Sequence, residues 1–552
     1  MSNLNSKSRR EFLKTMAASG TLGSLGQLAL MSQATAAAPE FIDYKAMVCV
    51  FLYGGNDSFN MLIPTGEDAL TGYSAYAGSR GQLAVANSSL PNDLLNANAG
   101  VLRKAAGNPY YSNGKAAEAY LKGHYPMAAN GFELGVNAVM PELADLIVSN
   151  KASVISNIGN LVEPVSKAQI QAETANLPLF LFAHNHQQRA LQTGQGNNLN
   201  DVGWAGRIAD NWSGINNRSP MGLNISYAGS DRMLIGQSAV PLVISPGNPP
   251  QIYDMTKSPY PTHVDRRALF QALHGVQNSS NTGLTNFDVS STYASNNPFE
   301  RLFSNTAKKS LSSFDLLSDA WNNHSFNYSS KDSYGNDLFS VPSQGDLGFE
   351  HEIKGQLITQ LESVAKMIDM GVKDSFASGG YQRQIFMVSL GGFDTHSDQA
   401  TKHPLLLREL SLGLSKFQTA MDEMGHANKV STFTLSDFGR TLGNNGDGTD
   451  HAWGGNHIVM GGDGLNQAGN LGGGQMLGSL PDLTLAGADD YSDRGRIIPS
   501  TAQDQLNASL CRWFGVDATL MPSIFPNLAN FAQTPSDIDS AYLRGLFNVP
   551  DA

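Results

Sequence analysis

Six short strand-like runs, each bounded by glycine or polar turn residues, constrain the fold of this chain more than any other feature. They occupy 46–53, 152–158, 221–226, 384–390, 430–435 and 457–461 of the 552 residues. Short runs that stay apolar without alternating are the mark of strands buried on both faces, as in parallel sheets covered by helices. Helical periodicity fills the intervals. Ile353, Leu357, Leu361, Val364 and Ile368 recur at helical spacing, predicting a helix from Ile353 to Met370. A second runs from Pro404, a good first-turn residue, to Met424, with Gly425 as its stop. It joins the runs ending near Asp394 and Asp437 as a βαβ unit. The expected fold class is α/β: a mostly parallel sheet flanked by helices, with large loop-rich insertions.

The insertions lie between the runs. Residues 62–125 are polar, and 226–350 are rich in Ser, Asn, Asp and Gly, with helical patterns near 264–276 and 298–320. The second reads as a cap-like, substrate-facing region inserted into a single α/β domain spanning 37–552. Residues 1–36 read as something else. Ser8-Arg9-Arg10-Glu11-Phe12-Leu13-Lys14 resembles a twin-arginine export motif, a mildly apolar stretch follows, and Ala34-Thr35-Ala36 fits a cleavage site. The expectation is a cleaved signal, a periplasmic or secreted mature protein, and contact with the twin-arginine translocase during export. No other segment is long and apolar enough to predict a stable membrane span. The formal charge of −12 becomes more acidic once the basic leader is removed, which argues against nucleic acid as a partner. Cys49 and Cys511 are too few for a disulfide scaffold. Cys49 reads as a small buried hydrophobe, and a bridge between the two stays open at this point.

Four Asp/His clusters border the runs. They are Gly54-Gly55-Asn56-Asp57-Ser58, Gly391-Gly392-Phe393-Asp394-Thr395-His396, Ser436-Asp437-Phe438-Gly439-Arg440, and Gly448-Thr449-Asp450-His451 through His457. Ligands of open α/β sheets bind beyond the carboxyl ends of the strands. Such a sheet would therefore gather Asp57, Asp394, His396, Asp437, Asp450, His451 and His457 at one edge. Carboxylate oxygens and imidazole nitrogens together suit Zn or Mn better than Ca or Mg. Seven candidates exceed the needs of one tetrahedral ion, which leaves a two-metal arrangement open. Taken singly, Asp57 and Asp437 have a plainer reading as helix or turn caps. His184, in Phe182-Ala183-His184-Asn185-His186, is a further candidate to line the site, with Arg189 or Arg207 as oxyanion binders. Ser58, or a water activated by the cation, would be the nucleophile. Arg440 would stabilise charge on a transferred group. No G-x-S-x-G elbow, phosphate-binding loop or dinucleotide fingerprint is present.

These segments, with Phe51-Leu52-Tyr53 ahead of the first cluster, Gly203-Trp204-Ala205-Gly206-Arg207 and Phe525-Pro526-Asn527-Leu528, resemble the exported bacterial family called domain of unknown function 1501. The resemblance spans roughly Phe41 to Phe531. That family is similar, more distantly, to the alkaline phosphatase and sulfatase superfamily, which implies an alkaline-phosphatase-like sheet with metal ligands at strand ends. Two departures stand out. Phe438 follows Ser436-Asp437 where the superfamily places a His ligand, and Ala183 stands where many family members carry Ser. The C-x-P-x-R sulfatase signature is absent. The resemblance implies a metal-dependent hydrolase acting on a small anionic phosphate or sulfate ester. The alternative is a non-catalytic exported module that keeps the fold and binds a partner or a glycan.

Overall fold

The computed structural model describes residues 39, 41–90, 116–127, 133–212, 215–216, 222–247, 317–332, 334–347, 349, 351–373, 381–462 and 475–547. Its strands in chain order are β1 (Lys45–Tyr53), β2 (Leu62–Pro64), β3 (His124–Pro126), β4 (Leu134–Asn137), β5 (Ala152–Gly159), β6 (Asn224–Ser226) and β7 (Leu242–Val243). They continue as β8 (Arg383–Gly391), β9 (Val430–Ser436), β10 (Arg440–Asn444), β11 (Thr449–His451), β12 (Gly455–Gly461), β13 (Met476–Leu477) and β14 (Thr501–Ala502). The central sheet runs β13-β5-β12-β9-β1-β8-β6-β7, with β14 also pairing β5. Its six interior strands, β5 to β6 in that order, are the six expected runs.

β1 lies at the centre because its side chains satisfy both faces. Ala46, Val48, Val50 and Leu52 enter one hydrophobic core, while Met47, Cys49 and Phe51 enter the other. The period-2 alternation of a strand divides an apolar run between two helix layers. Helices Pro141–Val148, Gln356–Val372 and Gln399–Glu423 supply the first layer, and Trp204–Asn211 and Gln503–Phe514 the second. The fold is therefore mixed α/β with a mostly parallel sheet between helices. β9, β1, β8 and β6 are parallel. β12 is the exception, antiparallel to both of its neighbours, β9 and β5. β10 and β11 form a separate antiparallel pair, and β2, β3 and β4 a small sheet of their own.

Several expectations need adjustment. The second long helix begins at Gln399 rather than Pro404, so Pro404 falls inside it. Tertiary contacts set that start, since the Gln399 amide donates to the Asp447 carbonyl and the Gln399 side chain to Asp57. Cys49 and Cys511 are free, both buried in the second core, where burial raises the pKa of each thiol. The expected helices near 264–276 and 298–320 lie outside the described residues, except for 317–320, and so does the leader at 1–36. What is described of the cap-like region packs on the first helix layer. Lys416 donates to Asp332, Arg408 to the Tyr334 hydroxyl, and His324 pairs with Asp369. Among the described residues no helix is long and apolar enough to cross a membrane.

Candidate metal centre

The loops leaving β1, β8 and β9 emerge at one sheet edge because those strands are parallel. β12 runs the other way, so its amino end meets the same edge. The fourth cluster therefore enters the site ahead of its strand rather than after it, carried by β11. Helix His184–Thr193, downstream of β5, adds the last element. The loops pass each other closely. A Cβ on Gly54 would lie 2.4 Å from the Asp394 amide nitrogen, and Gly54 has φ +116°, so only glycine fits there.

Asp394 lies at the centre. Its Oδ1 accepts from Arg440 Nη1 at 2.8 Å, and lies 3.2 Å from His451 Nε2 and 3.1 Å from His396 Nε2. His184 Nε2 lies 3.5 Å from Asp394 Oδ2, and the Nε2 atoms of His396 and His451 are 2.9 Å apart. Each imidazole is held from behind through Nδ1. His184 Nδ1 meets Asp437 Oδ2 at 2.6 Å, His396 Nδ1 meets Asp450 Oδ1 at 3.1 Å, and His451 Nδ1 meets the Phe182 carbonyl at 2.7 Å. A carbonyl or carboxylate oxygen accepts, so each Nδ1 donates, and a ring that is neutral turns an Nε2 lone pair towards Asp394. Two such lone pairs facing at 2.9 Å repel unless a proton or a cation lies between them. His184 Nε2 is buried without a hydrogen-bond partner.

This donor set fits a divalent ion. With metal–nitrogen bonds of about 2.0–2.1 Å, ligand atoms on one ion are separated by about 2.9 Å for octahedral and about 3.4 Å for tetrahedral angles. The separations of 2.9–3.2 Å among His396, His451 and Asp394 fall in that range, and the 3.5 Å from His184 to Asp394 lies just beyond it. Ligand atoms of His184, Asp394 and His451 all lie within 4.8 Å of one another. Anchoring Nδ1 on a carboxylate or backbone carbonyl is the usual support of a metal-binding imidazole.

Electrostatics sharpen the arrangement. The hydrogen bond to Asp437 raises the His184 pKa against the effect of burial. Burial lowers that of His451, and the His184 and Arg440 charges lower it further. Burial pushes the Asp394 carboxyl up, but Arg440 together with His396 and His184 holds the group below the usual carboxylate range. Phe438 walls the cluster on its apolar side, its ring 4.8 Å from that of His184 and 4.6 Å from that of His451.

The other candidates occupy different places. Asp437 and Asp450 stand behind the imidazoles. Asp57 is fully buried and takes Arg80 on one oxygen and Gln399 on the other. His457, on β12, is buried with Nδ1 3.3 Å from Thr434 Oγ1, and burial pushes its pKa down to about 4. Ser58 is buried and accepts the Asn456 amide. Arg440 is spent on Asp394, the Gly54 carbonyl and both oxygens of Thr449. Arg207 donates to the carbonyls of Val202, Thr193 and Ile524, while Arg189 stays exposed. Sequence reasoning missed Arg80, Gln399 and Gln188, the last donating to Asp437 Oδ2 at 3.0 Å. Gln188 was legible as the residue one helical turn after His184.

No curated protein matches the chain. The model of a family described as protein of unknown function (DUF1501) matches residues 379–492, the stretch that carries Asp394, His396, Asp437, Arg440, Asp450 and His451. Over those residues the chain is similar to the DUF1501 family.

Proposed function

We propose that this protein is an exported metal-dependent hydrolase of phosphate or sulfate esters. One observation carries the reading: three histidine Nε2 atoms converge on Asp394, each imidazole held by an acceptor at Nδ1. His184, His396, His451 and Asp394 would hold a divalent ion, with Zn or Mn favoured by the nitrogen-rich set. Such an ion polarises a phosphoryl or sulfuryl oxygen and makes water a competent nucleophile near neutral pH. The protein's own groups then orient and select. Asp437, Asp450 and the Phe182 carbonyl fix the imidazoles, Arg440 fixes Asp394, and Phe438 excludes water from one side. Buried Ser58 is less accessible than solvent, which favours water as the nucleophile. Export by the twin-arginine route, a periplasmic or secreted location, and an alkaline-phosphatase-like ancestry complete the proposal.

A second reading, a non-catalytic module that binds a partner or a glycan, draws on the engagement of Arg440. With four of its five N–H groups spent on protein oxygens, Arg440 has at most one left for a transferred group. Elemental analysis of the purified mature protein, beside Asp394→Asn and His451→Ala, separates the two readings. Stoichiometric Zn or Mn that both substitutions abolish, followed by metal-dependent cleavage of 4-nitrophenyl phosphate or sulfate, is the expected outcome. A wild type that stays free of metal, and gains no thermal stability from added Zn or Mn, sinks the hydrolase reading.

A further inference from the structure

We infer that the centre is mononuclear, with the Arg80 guanidinium standing against Asp57 where a two-metal site would need its second cation. The inference rests on the metal-binding reading above and limits it. A two-metal clamp holds its ions about 3.5–4 Å apart and needs a second set of ligands beside the first. The expected ligands left over for that set are Asp57, Asp437, Asp450 and His457. Asp450 Oδ1 is already taken by His396 and Asn445, with Arg494 4.0 Å from its Oδ2, and His457 is buried beside Thr434.

Asp57 is closed by charge. Arg80 Nη2 contacts one carboxylate oxygen, Gln399 Nε2 contacts the other, and the Asp57 and Arg80 side chains are both fully buried. Arg80 Nη1 donates to the Thr441 carbonyl at 2.9 Å, which ties the guanidinium to β10. Breaking a buried pair of this kind by removing one partner costs about 3–5 kcal/mol, so an incoming ion has no easy way to displace Arg80. Gln399 Oε1 also accepts from Thr449 Oγ1 at 2.6 Å, and Thr449 in turn accepts from Arg440. Carboxylate and guanidinium thus alternate from Asp394 through Arg440 to Asp57 and Arg80, and charge balance beneath the centre needs no second ion.

Asp437 is closed by geometry. Its Oδ2 accepts from His184, Gln188 and the Gly54 amide. Its Oδ1 has no hydrogen-bond partner, and Asp437 lines a cavity of about 10 Å³ together with Ser58, Asn456, His457 and Gln503. That volume is the minimum for one water. Asn456 Oδ1 accepts the Asn157 amide and the Ser156 hydroxyl, so its unpartnered Nδ2 is a fixed donor. Asp437 Oδ1 and Gln503 Oε1 are unpartnered acceptors. Two acceptors and one donor on residues lining one cavity are the complement of a water molecule, whereas the Asn456 N–H donor disfavours a cation there.

The test is metal stoichiometry. The full mature protein is saturated with Zn, desalted and measured by elemental analysis and native mass spectrometry, beside Asp57→Asn and His451→Ala. We expect one equivalent in the wild type and one in Asp57→Asn, with Zn affinity falling about tenfold or more in His451→Ala. Two equivalents in the wild type, one of them lost in Asp57→Asn, would overturn the inference and leave the hydrolase reading standing. No bound Zn in the wild type would instead overturn the metal reading, and this inference with it. If Asp57→Asn does not fold, as judged by circular dichroism, the wild-type stoichiometry decides alone.

Discussion

Replacing Asp437 with Asn removes a charge from behind His184 while keeping the side chain's size. In the native protein Asp437 Oδ2 accepts from His184 Nδ1 at 2.6 Å, Gln188 Nε2 at 3.0 Å and the Gly54 amide at 3.3 Å. An amide oxygen can take the same position, but its NH2 then replaces Oδ1 beside the cavity lined by Asn456, whose Nδ2 is also a donor. The His184 contact falls from a charge-assisted hydrogen bond, worth about 1.5–3 kcal/mol, to a neutral one worth about 1 kcal/mol. The loss of roughly 0.5–2 kcal/mol corresponds to about 2- to 30-fold in affinity. That range overlaps the 10- to 100-fold typical of removing a partner behind a metal-binding histidine. Competition titration against a chromophoric Zn chelator reads the change directly. It belongs above neutral pH, because losing Asp437 also lowers the His184 pKa and eases proton competition in acid, which opposes the effect. Zn affinity equal to wild type in a folded Asp437→Asn protein would refute the claim that this carboxylate orients a ligand.

Two further predictions concern the scaffold. Gly54→Ala should destabilise the protein by at least about 2 kcal/mol, because its Cβ would meet the Asp394 amide at 2.4 Å in a backbone conformation that side chains avoid; an unchanged urea midpoint would contradict the close loop crossing. Asp504 is buried near the start of helix Gln503–Phe514, and burial lifts its pKa to about 8. A folded-state pKa above the unfolded value of about 3.9 gives stability that is complete below pH 4 and lost as pH rises towards 8. Asp504→Asn should therefore raise Tm at pH 7 and lose its advantage near pH 4. The upper bound at pH 7 is about 4 kcal/mol, the opposing pull of Arg207 being already contained in the shift. A Tm difference that does not vary with pH would show that Asp504 titrates normally.

The interior of the sheet was legible because strands buried on both faces must be apolar throughout. β1, β5, β8, β9 and β12 each stand out as a run against a polar background. β7, β13 and β14 are two residues long, pair at the sheet's margins and carry no periodicity to read. The direction of β12 was not legible either, since an apolar run is the same in both senses. That one ambiguity changes the meaning of its neighbours. With β12 antiparallel, His451 arrives at the shared edge before the strand begins, while His457 is carried into the core beside Thr434. Asp57 looked like a ligand because its partner Arg80 lies 23 residues away in a polar stretch without periodicity. A buried guanidinium leaves no local trace in sequence.

The same contrast explains which site residues a sequence can reveal. Asp394, His396, Asp437, Asp450 and His451 lie within a few residues of a strand end, so the sheet's geometry assembles them once the strands are recognised. His184 lies outside that logic, 25 residues beyond β5 on its own helix, and reaches the centre because Asp437 holds its Nδ1. What closes the site is less visible still. The carbonyl that fixes His451 belongs to Phe182, a residue at φ +71°, and a backbone oxygen has no side-chain identity to read. Strain of that kind persists only where the surroundings hold it. Here the Phe182 ring packs on Tyr491 and beneath Arg496, whose Nε donates to the His451 carbonyl. Phe182 and His451 are thus clamped to each other from both sides, which holds His451 Nε2 3.2 Å from Asp394 Oδ1.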